Sequence, residues 1–202
     1  MAVGRPRTFD EAQALDLAVE VFWRQGYEGT SITDLTTAMG MNKPSLYTVF
    51  GSKENLFRLV VARYAERDMG YKTAALAEPT AAAVARTLLM ENAKALTRKD
   101  RPAGCLSIQG GLSTSPENAS VCAFLAASRL EGEQALADRF RTAATDGDLP
   151  AGTDPDALAR YVIAFTEGQA VHAAAGADRR QLEETAEIAL RVFPGGTGPM
   201  SD

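Results

Sequence analysis

The sequence has few of the residues from which covalent frameworks, metal sites and catalytic centres are built. Its 202 residues include only two cysteines, Cys105 and Cys122, and one histidine, His172. Two cysteines do not make a disulfide framework, and one histidine with two distant cysteines does not make a convincing metal site. We therefore expect no metal and no cofactor, with both cysteines present as thiols.

Enzyme and membrane signatures are also missing. The sequence has no Gly-x-Ser-x-Gly elbow, no His-Glu-x-x-His, no phosphate loop and no dinucleotide fingerprint. No apolar run approaches the length that crosses a bilayer, and none follows the charged N-terminus. We therefore expect a non-enzymatic, cytoplasmic protein without a membrane partner.

Negative charge is concentrated in the later part of the chain. The net charge is −5, from 21 Lys and Arg against 26 Asp and Glu. Residues 1 to 67 hold eight basic and eight acidic side chains, so the remainder holds 13 and 18 and carries the whole deficit. Because an acidic protein does not coat nucleic acid, any DNA contact must come from a local surface.

What the sequence does contain is helical periodicity. Apolar residues recur at three-and-four spacing and strand signals are nearly absent, which predicts an all-α fold. Asp10, Ser31 and Ser52 are the expected N-caps of the first, second and fourth helices. The predicted helices span about 10 to 25, 31 to 39, 42 to 50, 52 to 76, 80 to 98, 105 to 114, 117 to 146, 155 to 176 and 179 to 193.

The second and third predicted helices, with a short turn between them, fit a helix-turn-helix arrangement. In that arrangement the second helix of the pair enters the major groove of DNA. From Leu35 to Lys53 the only charged residues are Lys43 and Lys53, so this segment has no carboxylate to repel a phosphate. Leu46 and Phe50 are expected to be core residues.

An ordered set of residues runs through this region: Phe22, Gly26-Tyr27, Thr30-Ser31-Ile32, Leu35, Gly40, Ser45-Leu46-Tyr47, Phe50 and Ser52-Lys53-Glu54-Asn55-Leu56. Over about residues 8 to 60 it resembles the N-terminal domain of the TetR family of bacterial repressors. The resemblance implies a three-helix DNA-binding domain joined through helix four to a larger helical domain for ligand binding and dimerisation. It implies a transcriptional regulator, a repressor released from a palindromic double-stranded operator by a small-molecule effector. A DNA-binding architectural protein without an effector is the alternative, although its C-terminal domain would be unusually large.

The resemblance also implies domain limits and DNA contacts. We expect a DNA-binding domain over 1 to 54 with an N-terminal arm at 1 to 9, an effector and dimerisation domain over 55 to 193, and a disordered tail over 194 to 202. Hydroxyls and lysines at helix starts can meet phosphates, and the early part of the third helix can read bases. The predicted DNA contacts are Arg5, Arg7, Thr30, Ser31, Lys43, Pro44, Ser45, Tyr47, Thr48 and Lys53; for each basic residue the alternative is a solvated surface charge.

A homodimer is expected, because one half-site supplies too few contacts for useful specificity. The resemblance implies that the last two helices pair across a two-fold axis. Small and apolar residues on these helices form the predicted dimer face, although such a face can equally pack inside one subunit: Ala164, Gly168, Val171, Ala175, Leu182, Ala186 and Ala189.

The C-terminal domain offers apolar residues with a few polar anchors, which is typical of a ligand pocket. The predicted pocket residues are Met90, Cys105, Gln109, Phe124, Phe165, Gln169 and His172; simple core positions are the alternative for each. Cys105 lies at a predicted helix start, where a thiol can be activated. A thiol-based redox or electrophile-sensing regulator that uses Cys105 is therefore an alternative function.

Overall fold

The computed structural model describes residues 10–112 and 114–194, and all regular structure in these ranges is helical. The elements are α1 (Glu11–Gly29), α2 (Ile32–Met39), α3 (Lys43–Phe50), α4 (Lys53–Asp68), α5 (Tyr71–Leu76), α6 (Ala81–Leu96), α7 (Leu106–Gln109), α8 (Ala119–Thr145), α9 (Pro155–Ala174) and α10 (Arg179–Ala189), with short 3-10 helices at Pro116–Asn118 and Leu190–Val192. The all-α prediction is confirmed. None of the helices in the described ranges is long and apolar enough to cross a membrane. The predicted arm, with Arg5 and Arg7, and residues 195–202 of the predicted tail lie outside the described residues.

Side-chain caps fix where the N-terminal helices begin. The carboxylate of Asp10 accepts a hydrogen bond from the Gln13 N–H at 3.1 Å. The Ser52 hydroxyl accepts one from the Asn55 N–H at 3.0 Å, and Ser31 caps α2 in the same way. Because each cap satisfies a backbone donor that the helix leaves open, these predictions from the sequence are confirmed.

Regular α1 ends at Gly26, as the sequence predicts. Gly26 has φ 69° and ψ 175°, a conformation that other residues rarely adopt. The break turns the next peptide outward, so the Tyr27 N–H donates to the Gly110 carbonyl at 2.8 Å. One backbone hydrogen bond therefore joins the end of α1 to the segment just after α7.

Two predicted helices are wrong in extent. The helix expected from 52 to 76 is divided into α4 and α5 by Met69 and Gly70. At the end of α4, the carboxylate of Asp68 pairs with Arg98 and Arg101, both at 3.3 Å, which anchors the chain before it turns. The helix expected from 105 to 114 is only the four-residue α7.

Glycine packing explains why α7 is short. A Cβ at Gly111 would lie 2.9 Å from Leu125 Cδ1, and one at Gly110 would lie 2.5 Å from the Leu106 carbonyl oxygen. The segment after α7 is therefore pressed against α8 and against α7 itself. The helix does not continue, and the chain crosses instead to the start of α8.

The buried side chains form two clusters. The upper cluster contains residues of the four helices α1, α2, α3 and α4, of α7, and of the adjacent ends of α6, α8, α9 and α10. In its centre the Phe57 ring lies 5.0 Å from that of Phe22 and 5.2 Å from that of Tyr27, both edge-on. The lower cluster joins α5, α6 and α10 to the remaining parts of α8 and α9. The upper cluster continues across residues 54 and 55, where the sequence places a domain boundary.

Candidate nucleic-acid interface and ligand cavity

α3 presents a polar face to solvent and buries the opposite face. Leu46 and Phe50 are buried in the upper cluster, as predicted. Lys43 and Pro44 are exposed, and Tyr47 is 48% exposed. Because residues on one helix face recur every three to four positions, burying Leu46 and Phe50 turns the other side of α3 outward.

The start of α3 is held by local hydrogen bonds. The Asn42 side chain accepts from the Ser45 N–H at 2.8 Å, and Pro44 occupies the first turn, where no helical partner for an N–H is needed. The Thr48 hydroxyl donates to the Pro44 carbonyl at 2.9 Å. Within the described ranges the Lys43 ammonium has no ion pair, so its charge remains available to an anion.

Thr30 does not fit its predicted role. It is 2% exposed, and its hydroxyl donates to the Gly26 carbonyl at 2.6 Å. That carbonyl needs a partner because the helix breaks at Gly26. The prediction of a phosphate contact at Thr30 is therefore corrected: Thr30 closes the end of α1.

Ser31 is exposed but already engaged. Its hydroxyl and its N–H both donate to the Asp34 carboxylate, at 2.6 and 2.8 Å. These hydrogen bonds lower the pKa of Asp34, so the start of α2 already holds an anion of its own. A phosphate contact by Ser31 remains a prediction, and it would have to be made beside this carboxylate.

Lys53 lies at the start of α4 and turns back toward α1. Its Nζ lies 4.3 Å from the centre of the Tyr27 ring, a cation–π contact. Burial lowers the pKa of Lys53, and the charge of Glu28 opposes that effect. The phosphate contact predicted for Lys53 remains a prediction, and it would require the side chain to leave this ring.

A cavity of about 290 Å³ lies where the two buried clusters meet. Six helices, α4 to α9, line it. Its apolar wall includes Val61, Ile108 and Ile163, and its charged residues are Lys72, Arg129 and Glu167.

A chain of buried hydrogen bonds closes the cavity on the side of α6. The Tyr71 hydroxyl, whose pKa burial raises, donates to Asn92 Oδ1 at 2.7 Å. Asn92 Nδ2 donates to Gln169 Oε1 at 2.7 Å, and Gln169 Nε2 donates to the Leu89 carbonyl at 3.3 Å. These amides are therefore occupied in holding α5, α6 and α9 together.

Only Cys105 of the predicted pocket residues lines this cavity. Its sulfur accepts a hydrogen bond from the Tyr64 hydroxyl at 3.3 Å. Phe165, Gln169 and His172 line a separate surface groove of about 440 Å³ between α9 and α10. The predicted pocket residues are therefore divided: Phe165, Gln169 and His172 do not line the cavity that contains Cys105.

The remaining three predicted pocket residues lie elsewhere. Met90 packs against the lower cluster. Phe124 faces α4, with the Arg58 guanidinium 4.5 Å from the centre of its ring. Gln109 is exposed and its side chain packs against Gly104. None of them lines the cavity in the described ranges, so these predictions are corrected.

The predicted dimer face is divided by the structure. Ala164 and Val171 are exposed on α9, Ala175 is exposed directly after it, and Gly168 of α9 is half-buried. On α10, by contrast, Leu182, Ala186 and Ala189 are buried in the clusters of their own chain, and these three predictions are corrected. The exposed face of α10 instead carries Gln181, Thr185 and Ile188, followed by Val192. Helical spacing correctly grouped these residues on one face of α10, but it did not show that this face packs inside its own chain.

Two other features of the site have no signal in the sequence. Lys72 lines the cavity, but it lies in the short helix α5, which the sequence pattern does not separate from α4. Glu28 joins the DNA-binding region to the start of α8, because its carboxylate accepts from the Ser115 N–H at 2.6 Å and from Asn118 Nδ2 at 3.0 Å. Such contacts between distant residues have no local signature.

Comparison with known families agrees with this architecture. The family described as bacterial regulatory proteins, tetR family, matches residues 14–60, and the tetracyclin repressor-like C-terminal domain matches residues 83–189. The chain belongs to the TetR family. It is therefore a helix-turn-helix transcriptional regulator, and α2 and α3 are the helix pair of its TetR-type DNA-binding domain.

Individual TetR-family proteins are similar over almost the whole chain. The HTH-type transcriptional repressor ComR of Escherichia coli K12 is 33% identical over 193 residues, 95% of this chain and 92% of that protein. A cysteine mutant of the regulator CifR, solved with a 26bp double-strand operator DNA, is 39% identical with a TM-score of 0.89, over 94% of this chain and 100% of that chain. A TetR transcriptional regulator from Rhodococcus sp. RHA1 is 45% identical with a TM-score of 0.61, over 91% and 98% of the two chains.

Proposed function

We propose that this TetR-family protein is a homodimeric repressor that binds a palindromic operator through α3 and is released by a small molecule in the cavity. The observation that carries the proposal is the exposed face of α3, with Lys43, Pro44 and Tyr47 in a segment without carboxylates. ComR is a repressor and CifR was solved on operator DNA, which supports this function.

The residues of α3 proposed to contact DNA differ in position and chemistry. Lys43, Ser45 and Thr48 lie on the early and outward part of the helix, where donors can meet base edges. The Tyr47 hydroxyl is suited to a phosphate, and Pro44 offers an apolar surface to a base. Arg5 and Arg7 of the predicted arm would add contacts along the minor groove.

Exposed apolar side chains on α9 and α10 support a homodimer. Ile188 is 60% exposed and Val171 is 51% exposed. Burying such apolar side chains against a second copy would lower the free energy of the protein in water. Pairing two copies through these helices would also give the two recognition helices that a palindrome requires.

Two routes lead from the cavity to the DNA-binding helices. The first is α4, which contributes Val61 to the cavity wall and Phe57 to the packing around α1. The second is α7, which contributes Ile108 and is followed by Gly110, whose carbonyl accepts from the Tyr27 N–H. A ligand acts through these routes only if it binds the DNA-incompetent arrangement more tightly, since equal affinity for both shifts nothing.

Footprinting upstream of the protein's own gene and its neighbours tests the proposal and supplies the operator. On that operator, fluorescence anisotropy compares the wild type with Lys43→Ala and Tyr47→Ala, and with Lys99→Ala, an exposed lysine outside the proposed interface. Each α3 change should weaken binding by roughly 5- to 150-fold, the range for loss of one good contact of about 1–3 kcal/mol. Unchanged affinity in both α3 variants would contradict the groove assignment.

Thiol sensing is a second candidate function, favoured by the position of Cys105 in the cavity wall. An α,β-unsaturated carbonyl compound would form an S–C bond at its β-carbon, while the thiol proton ends on its α-carbon. Intact-mass spectrometry after treatment with N-ethylmaleimide should show an adduct that Cys105→Ser lacks, together with loss of operator binding. An adduct at Cys122 alone, with DNA binding retained, would exclude this function.

A further inference from the structure

The charges that face the cavity do not balance. Lys72 and Arg129 contribute two positive charges and Glu167 one negative charge. Arg129 Nε lies 3.5 Å from Glu167 Oε1, so these two largely neutralise one another. The Lys72 ammonium, in contrast, makes no hydrogen bond and no ion pair within 4 Å across residues 10–112 and 114–194, and the Cys105 sulfur and the Glu167 carboxylate act on it only at longer range.

An unpaired ammonium in such a place is costly. The Lys72 side chain is half-buried, and burial lowers its pKa. Removing a charge from water is unfavourable unless a counter-charge or hydrogen bonds replace the lost hydration. Asn92, which also lines the cavity, does not supply this partner: its oxygen accepts from Tyr71 and its nitrogen donates to Gln169. The site therefore lacks an anion.

We propose that the effector is a small monocarboxylic acid, whose carboxylate pairs with Lys72 and whose apolar body lies against Val61, Ile108 and Ile163. The inference rests on the proposed effector role of the cavity. A net charge of one favours a monoanion, because a phosphate monoester carries nearly two charges at neutral pH. The volume of about 290 Å³ is suitable for one ring or a short chain, because an apolar cavity of about 150 Å³ already holds benzene.

Matched pairs of acids and amides test the charge separately from the shape. The melting temperature of the full chain is measured with benzoate, phenylacetate and hexanoate, each against its neutral primary amide. At about ten times its Kd, an acid should raise the melting temperature by about 3 °C, and its amide should give a clearly smaller shift. Lys72→Met should abolish the difference between acid and amide, whereas Lys99→Met, at an exposed position, should keep it.

Lys72→Gln provides a second neutral variant should the methionine variant fold poorly. The inference is overturned if no acid exceeds its amide in the wild type, or if the difference survives both changes at Lys72. Operator binding is measured in parallel by anisotropy. If the wild type binds its operator normally but no acid exceeds its amide, the ligand class alone is overturned. Acid binding that does not release DNA supports the site and contradicts the effector role.

Discussion

The DNA-facing surface and the cavity differ in how much of the chain builds them. The exposed face of α3 comes from eight consecutive residues, Lys43–Phe50, and from caps made within the same segment. The cavity needs six helices that are distant in the sequence. A change on α3 should therefore have a local effect, whereas the cavity and its links to DNA binding should respond to changes in packing far from the ligand.

The largest expected loss of operator affinity comes from a residue that belongs neither to the α3 surface nor to the cavity, which tests the contrast between them. Ile188→Asp places a charge on the exposed face of α10 and should leave the protein monomeric, since an unpaired charge cannot be buried between two copies. A monomer reaches only one half-site, so operator affinity should fall by at least about 100-fold. Analytical ultracentrifugation gives the oligomeric state and anisotropy the affinity.

Leu112→Asp is the matched control, because Leu112 is also exposed and apolar but lies in the segment between α7 and α8 and not on α9 or α10. It should leave the sedimentation coefficient unchanged. A dimer that persists in Ile188→Asp would show that this face is not where the copies meet.

A change at Gly110 sharpens the comparison by testing the link between the two sites. In Gly110→Ala the new Cβ would lie 2.5 Å from the Leu106 carbonyl oxygen and 3.2 Å from Phe57 Cζ, so α7 must shift. Overpacking of this kind should cost about 1–3 kcal/mol of unfolding free energy, measured by urea denaturation. The shift should also weaken the contact between Gly110 and Tyr27 and reduce any effect of a cavity ligand on DNA binding.

Gly132→Ala is a control in which the unfolding free energy should rise and not fall. Gly132 lies in α8 with no neighbour within 4 Å of an added Cβ, so alanine should stabilise the helix by about 0.5–1 kcal/mol. Equal stability of the two variants would mean that the segment after α7 is not tightly packed.

Lys72→Met should have a smaller effect on the stability of the ligand-free protein, and this effect should be stabilising. Removing a half-buried ammonium that lacks a partner should raise the unfolding free energy by about 1 kcal/mol. The gain in unfolding free energy should become smaller as pH rises, because the pKa of Lys72 is lower in the folded state than in the unfolded state. Once Lys72 is deprotonated in both states, the wild type no longer carries the cost of burying its charge. Urea denaturation at neutral and strongly alkaline pH measures both effects; destabilisation at neutral pH would mean that Lys72 supports the fold.

The smallest effect concerns the exposed link at Glu28. Hydrogen bonds from the Ser115 N–H and from Asn118 lower the pKa of its carboxyl. The link is therefore complete above the unfolded-state pKa and is lost as pH falls through the lower folded-state value. An NMR titration should show a depressed pKa at Glu28 and faster amide exchange at Ser115 once Glu28 is protonated. An undisturbed Ser115 amide in Glu28→Gln would show that the carboxylate charge is not needed.

The sequence was sufficient for features that depend on neighbouring residues. The caps at Asp10 and Ser52, the break at Gly26 and the buried positions Leu46 and Phe50 all follow from local chemistry and helical period. The same local rules placed the exposed face of α3.

The sequence failed where a residue has two possible partners and packing decides between them. Thr30 was assigned to DNA because its hydroxyl lies at a helix start, but the carbonyl freed at Gly26 takes that hydroxyl. Leu182 is predicted on the dimer face, but it is buried in the upper cluster, and α10 packs against α6 and α9. The cavity could not be predicted because each residue that lines it is an ordinary core or surface residue of its own helix.

The upper cluster has a consequence for how the protein melts. Phe57, beyond the N-terminal helix pair, packs directly on Phe22, and Leu182 near the end of the chain belongs to the same cluster. A fragment that stops at residue 54 would expose the Phe22 ring to water and should not hold its shape. Heating should therefore unfold the DNA-binding and cavity-forming parts in one calorimetric transition. Destabilising substitutions near the cavity will then also reduce the amount of folded protein that can bind an operator.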